Sequence, residues 1–221
     1  MGILYVVATP IGNLEDLSPR AAQALRAADL IAAEDTRVTS KLLTRLNIVR
    51  PLVSSFQHSP TKNFEKVLAT LTDGLTVTLV TDAGTPGISD PGSYLVSQIR
   101  EKLGDKCKII PIPGPSAVAT ALSAAGFPAD QFLFLGFPPH KKGRQTFFKE
   151  LAESKYTVVI YESPHRILKT LAQLPPERQI FVARELTKKF ESHYFGTPVE
   201  IAEKYISELE RGELVVVISA K

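Results

Sequence analysis

The chain has 221 residues, a formal net charge of +3, and 44% hydrophobic and 22% charged side chains, which fits one large or two small globular domains with a sizeable core. The mild positive charge permits an acidic partner such as RNA without demanding one. A single cysteine, Cys107, rules out an internal disulfide and fits a reducing cytosol; no apolar run approaches the ~20 residues of a membrane span, and the N-terminus lacks a basic n-region, so a cytoplasmic protein without membrane contact is expected.

Strand-length apolar runs alternate with helix-period stretches along the chain. Strands are expected at 3–8, 30–33, 76–81, 107–112, 131–135, 156–161, 179–183 and 214–219, several of them continuously apolar and β-branched, as in strands covered on both faces. Between them, helices are expected from Ser18 as N-cap with Pro19 at N1, and then at 36–46, 61–72, 92–103, 115–125, 143–153, 165–172 and 198–211. The alternation predicts an α/β protein with largely parallel sheets. "PIPGPS" (111–116) interrupts the pattern and divides the chain into expected domains 1–113 and 114–221, with a ligand cleft between them lined by loops that follow strands.

Those loops hold the unusual residues. "ATPIGN" (8–13) follows the first strand without forming a dinucleotide fingerprint, and is either a simple turn or a ligand loop. "TDAGTPGISDPG" (81–92) combines three glycines and two carboxylates with no lysine or arginine. Ser89 or Asp90 would cap the next helix with Pro91 at N1, but capping leaves "DAGTPG" unexplained, so that segment is read as ligand-contacting. "PGPSA" (113–117) is a hinge, a ligand-facing helix start, or both. "EDTR" (34–37) puts Asp35 or Thr36 in a capping position. "PPHKKGR" (138–144) is a solvated loop or a phosphate contact. "YESPHR" (161–166) and "ARELTKKFE" (183–191) place charges immediately past strands: Glu162, Arg166, Arg184 and Glu185 are assigned to the cleft, and Lys188, Lys189 and Glu191 to a solvated face. The histidines at 58, 140, 165 and 193 share no metal spacing, and neither a P-loop nor G-x-S-x-G occurs.

In order and spacing, "VATPIGNLEDLSPRAAQALRAADLIAAEDTR", "TDAGTPGISDPGSYLV", "PIPGPSAVATALSAAGFP", "YESPHR" and "ARELTKKFE" resemble the ribosomal RNA small subunit methyltransferase I family, a branch of the tetrapyrrole methylase superfamily. The resemblance runs from Ile3 to about Ile218. It implies two α/β domains of the tetrapyrrole methylase type with S-adenosylmethionine in the cleft between them, a homodimer, and methylation of a cytidine ribose 2′-hydroxyl in 16S rRNA within the small ribosomal subunit. The implied cofactor contacts are Pro10, Asp82, Ala83, Gly84, Thr85, Pro86, Ser116, Ala117, Glu162, Ser163, Ala183 and Arg184. The base candidates are Glu162 and Glu185, with Arg184 or Lys188 holding a phosphate. A cationic sulfonium without a phosphate also accounts for a glycine loop that carries acids and no lysine. Members of the family usually extend beyond the last strand, whereas this chain ends at "GELVVVISAK", and "GFPPHKKGR" departs from their usual "GFLP". The rival expectations are a methylase of the same superfamily acting on a tetrapyrrole or a protein, and a non-catalytic RNA-binding assembly factor.

Overall fold

The computed structural model describes residues 1–55 and 61–221, so His58, one of the histidines weighed for metal spacing, lies outside them. The described chain divides into two compact units, Met1–Ser116 and Ala117–Lys221, and the division falls at the end of the "PIPGPS" segment. No described helix is long and apolar enough to cross a membrane.

In the first unit the order is β1 (Gly2–Val7), α1 (Pro19–Ala27), β2 (Leu30–Ala33), α2 (Thr36–Arg45), β3 (Leu52–Ser54), α3 (Thr61–Thr72), β4 (Thr76–Val80), α4 (Gly92–Leu103) and β5 (Cys107–Ile112). The strands form one parallel sheet in the order β3-β2-β4-β1-β5. Its strands are apolar on both sides because helices cover both faces. In β2, Leu30 and Ala32 pack with Val67, Leu71, Leu95 and Ile99, whereas Ile31 and Ala33 pack with Ala21, Leu25 and Leu43. The helix starts obey local chemistry. The Ser18 hydroxyl accepts from Ala21 N at 3.1 Å and Asp35 Oδ1 from Arg37 N at 2.8 Å, each satisfying an otherwise unpaired amide. α4 departs from expectation: Pro91 is its N-cap, not N1. Asp90 Oδ1 instead receives Gly87 N at 2.8 Å and Gly92 N at 2.7 Å, closing the loop on itself.

The second unit runs α5 (Ala117–Ala125), β6 (Phe132–Phe134), α6 (Arg144–Ala152), β7 (Thr157–Glu162), α7 (Ile167–Leu171), β8 (Ile180–Arg184), β9 (Ser192–Gly196), α8 (Pro198–Leu209) and β10 (Leu214–Ile218). Its sheet, β6-β7-β10-β8-β9, corrects the expectation of largely parallel pairing. The β6–β7 pair is parallel, but β10 is antiparallel to both β7 and β8, and β8–β9 is an antiparallel hairpin. A strand buried on both faces reads as a continuous apolar run in either direction, so "LVVVI" carried no orientation. The topology has one consequence for function. Because β7 and β8 both oppose β10, they run parallel to each other and end on the same edge. Leu214 pairs with both Glu162 and Arg184, so these last residues of their strands flank it.

Candidate functional site

In the first unit the loops after β4, β1 and β5 leave neighbouring strands on one edge, where parallel sheets present ligand sites. They are bonded to one another. Thr9 N donates to Gly84 O at 2.9 Å and Gly84 N to Thr9 O at 3.1 Å. The Thr9 hydroxyl reaches Thr81 O at 3.1 Å, and the Thr85 hydroxyl reaches Pro115 O at 3.1 Å. Gly84 holds φ +86°, and a Cβ there would lie 3.5 Å from Ile11 Cγ2, an ordinary contact. Gly84→Ala therefore pays for left-handed backbone and not for a clash, at a cost of roughly 1–2 kcal/mol. It is expected to lower the melting temperature modestly in scanning calorimetry. Gly114 has a different reason: its Cβ would stand 2.9 Å from that of Ala8, so only glycine lets the third loop close against the first.

The edge is acidic. Glu34 Oε2 accepts from the Thr81 hydroxyl at 2.5 Å and from Asp82 N at 3.2 Å, and Asp82 Oδ1 accepts from Asp35 N at 3.0 Å. Arg37 closes on Asp35 at 2.5 Å and holds that carboxyl at about 2. Asp82, among the exposed residues, has its carboxyl raised, first by desolvation in the loop and then by the charges of Glu34 and Asp35, which outweigh the Asp35 N–H. A cleft of about 220 Å³ opens here between Thr9, Pro10 and Gly12 of the first loop, Val38 and Thr39 of α2, and Asp82. Pro10 and Asp82 thus share one cleft, Ala83 is exposed beside it, and Pro86 is buried beneath the loop. The donor set fits a cationic, phosphate-free ligand: backbone that approaches closely, several carboxylates, and one arginine already tied to Asp35. Ser116 ends this unit and Ala117 opens α5, two residues later than the helix start expected from sequence.

In the second unit Glu162 is 2% exposed. Its Oε1 accepts from Ser163 N at 2.8 Å and faces Arg166 Nε at 3.3 Å, while Oε2 accepts from the buried Thr170 hydroxyl. Thr170 in turn accepts from Arg144 Nη2 at 2.8 Å, and Arg144 also donates to Gln173 Oε1 at 2.7 Å and to Pro139 O at 3.0 Å. Arg144, expected within a basic loop that is either solvated or a phosphate contact, is therefore a core residue, and burial lowers its proton affinity. Ala183 is fully buried inside β8, paired with His193 on one side and Val215 on the other, so its backbone belongs to the sheet.

The turn from β8 to β9 is tightly determined. Arg184 donates to Arg211 O at 2.9 Å and to Phe190 O at 3.0 Å, so its guanidinium staples the turn. Glu185 (φ +53°) and Thr187 (φ +65°) are left-handed without being glycine, a strain that persists where surrounding structure imposes it. Thr187 Oγ1 is buried with no hydrogen-bond partner among the described residues. Glu185 Oε1 accepts from Lys188 Nζ at 2.9 Å and Glu213 N at 2.9 Å, and Lys188 also meets Glu213 Oε2 at 3.0 Å. Partial burial would raise the Glu185 carboxyl, but Lys188 and the Glu213 N–H outweigh it and hold it below the usual carboxylate range. The solvated face expected here is thus corrected for Lys188, which lies between two carboxylates; Glu191 is exposed as expected, while it accepts from Thr187 N at 2.6 Å and pairs with His193 at 2.8 Å. With Arg184 on carbonyls and Lys188 on acids, neither cation stands ready for a phosphate. Thr170, Gln173 and Glu213 complete these networks and had no sequence signal beyond lying one helix or strand away.

Comparison with known proteins gives the chain its relatives. The family model of tetrapyrrole (corrin/porphyrin) methylases matches residues 3–202. A Synechocystis protein named ribosomal RNA small subunit methyltransferase I is 46% identical over 225 residues, covering 99% of this chain and 79% of that protein. One of the same name from Thermotoga maritima is 40% identical over 225 residues and is matched over 100% of both chains. Among solved structures, uroporphyrin-III C-methyl transferase from Thermus thermophilus, in complex with S-adenyl homocysteine, superposes with a TM-score of 0.63 at 16% identity, over 98% of this chain and 97% of that one.

Proposed function

We propose, because the chain belongs to the tetrapyrrole methylase family and within it to the ribosomal RNA small subunit methyltransferase I group, that it is an S-adenosylmethionine-dependent methyltransferase of the small ribosomal subunit. Its target is the 2′-hydroxyl of a cytidine ribose in the decoding region of 16S rRNA, and it works as a homodimer in the cytoplasm. The observation that carries this reading is the near full-length identity to relatives of that name, together with a strand-end loop whose chemistry suits a cation.

When bound, S-adenosylmethionine supplies a methyl group on a sulfonium. Pro10, Asp82, Ala83, Gly84, Thr85 and Pro86, with Ser116, would hold it in the first unit. The family resemblance also gives cofactor positions to Ala117, Glu162, Ser163, Ala183 and Arg184; within their own unit Glu162 and Arg184 fix the loops that follow β7 and β8. The Asp82 carboxylate favours the positive ligand. Because desolvation and the neighbouring carboxylates raise its proton affinity, cofactor affinity is expected to weaken with falling pH earlier than an unperturbed aspartate would give. Asp82→Asn should remove that dependence in calorimetric titrations across pH.

A ribose hydroxyl needs its proton removed as it attacks. Both oxygens of Glu162 are engaged within the buried network, whereas both bonds to Glu185 fall on Oε1. Glu185 Oε2 is the acceptor we assign to that proton, and the strained turn holds it in place. The test is transfer of labelled methyl from S-adenosylmethionine to small subunits lacking the modification, with large subunits, a tetrapyrrole and bulk protein as competing acceptors. Label confined to small subunits is expected. Label on a tetrapyrrole or protein would move the chain to another substrate, and cofactor binding without any transfer would leave the non-catalytic reading.

A further inference from the structure

We infer that residues 137–143, between β6 and α6, form a contact for single-stranded RNA, in which Phe137 stacks on a base and Lys141 and Lys142 meet phosphates, with Glu162 as the positioning residue of that loop. The inference rests on the rRNA reading above and adds where the substrate is gripped. Phe137 is 56% exposed, and its ring is set edge-on to Tyr161 at 5.5 Å, so it is held toward solvent in a defined orientation. Lys141 and Lys142 are exposed, and residues 131–149 contain no acid.

The loop beneath these groups is fixed from inside. Arg166 donates to Pro138 O and, at 3.1 Å, to His140 Nε2; Arg144 donates to Pro139 O. Glu162 secures both guanidinia, Arg166 directly and Arg144 through the Thr170 hydroxyl. Two arginines gripping consecutive loop carbonyls exceed what a surface turn needs, and they spend a buried carboxylate to do it. The outcome is an ordered aromatic ring on the same loop as two exposed lysines whose ammonium groups have no partner among the described residues. Sequence-tolerant single-strand contacts use this combination, with π-faces for bases and ammonium groups for the backbone. A purely apolar partner would gain nothing from the lysines.

The test is equilibrium binding of the full chain to unmodified small subunits across a salt series, with cofactor affinity measured alongside. Lys141→Ala/Lys142→Ala should reduce the slope of log K against log salt by about 1.4, two single-strand contacts at ~0.7 each, with cofactor affinity unchanged. Phe137→Ala should weaken binding about tenfold at every salt concentration without changing the slope. Arg166→Lys, which keeps the charge but loses the fork, should raise KM for subunits while kcat holds. An unchanged slope in the double variant would overturn the inference. So would a change of sedimentation mass in Phe137→Ala with RNA affinity intact, which would mark a face between copies of the chain, or a fall in kcat at constant KM in Arg166→Lys. If the unaltered chain does not bind small subunits at all, the rRNA reading fails first and the inference falls with it.

Discussion

Glu185→Gln is expected to lower kcat by about 100- to 10,000-fold, the usual worth of a positioned general base, while cofactor affinity and KM for the subunit stay as they are. Glutamine preserves the side-chain volume where it matters: a Cβ on Gly212 would lie 2.6 Å from Glu185 Cγ, so the stem is already in close contact and a longer or branched residue would displace the turn. The exchange removes the proton acceptor and the ion pair to Lys188 but keeps an oxygen for the Glu213 N–H. The pH profile gives a second reading. Glu185 is held below the usual carboxylate range, so it is ionised at neutral pH and the acid limb of the rate should fall at a pH lower than an ordinary carboxylate would give. A parallel loss of cofactor affinity would instead show that Glu185 shapes the binding site.

Glu162→Ala should destabilise the second unit by about 3–5 kcal/mol, because removing one partner of a buried ion pair leaves the other charge without compensation. Here it leaves Arg166 without its carboxylate and takes away the acceptor that orients Thr170 toward Arg144. Glu162→Gln should lose less, since the amide oxygen still accepts from Thr170. Glu150→Ala, at an exposed position on α6, should change stability by no more than about 0.5 kcal/mol. Urea unfolding followed by circular dichroism distinguishes the three. Equal losses for the alanine and glutamine variants would show that packing, and not the charge network, is what Glu162 provides.

The alternation of apolar runs with helical periods made the α/β class legible, and the charges expected immediately past two strands, Glu162 and Arg184, prove to be the last residues of β7 and β8. Two strands escaped. β3 is only Leu52–Ser54, too short to show a period, and β9, "SHYFG", has no apolar run, because as the edge strand of its sheet it buries Tyr194 but leaves Phe195 exposed. Glu162 and Arg184 were assigned to the cleft because charges past strands are uncommon in purely structural sequence. What sequence could not show is that Arg184 turns to two carbonyls and that Arg144 lies in the core, since a buried arginine and a solvated one read alike until their partners are known. Asp90 shows the same ambiguity at smaller scale. Its capping chemistry was legible, but the amides it serves, Gly87 and Gly92, depended on Pro91 sitting one place earlier than the rule for helix starts suggests.

The most direct test of the central claim is to map the methyl group. After reaction of the purified chain with unmodified small subunits, 2′-O-methyl-sensitive primer extension across 16S rRNA should show one new stop, at a cytidine of the decoding region, absent when cofactor is withheld and strongly reduced for Glu185→Gln. Label recovered on a base, on ribosomal protein, or scattered over many riboses would contradict the account.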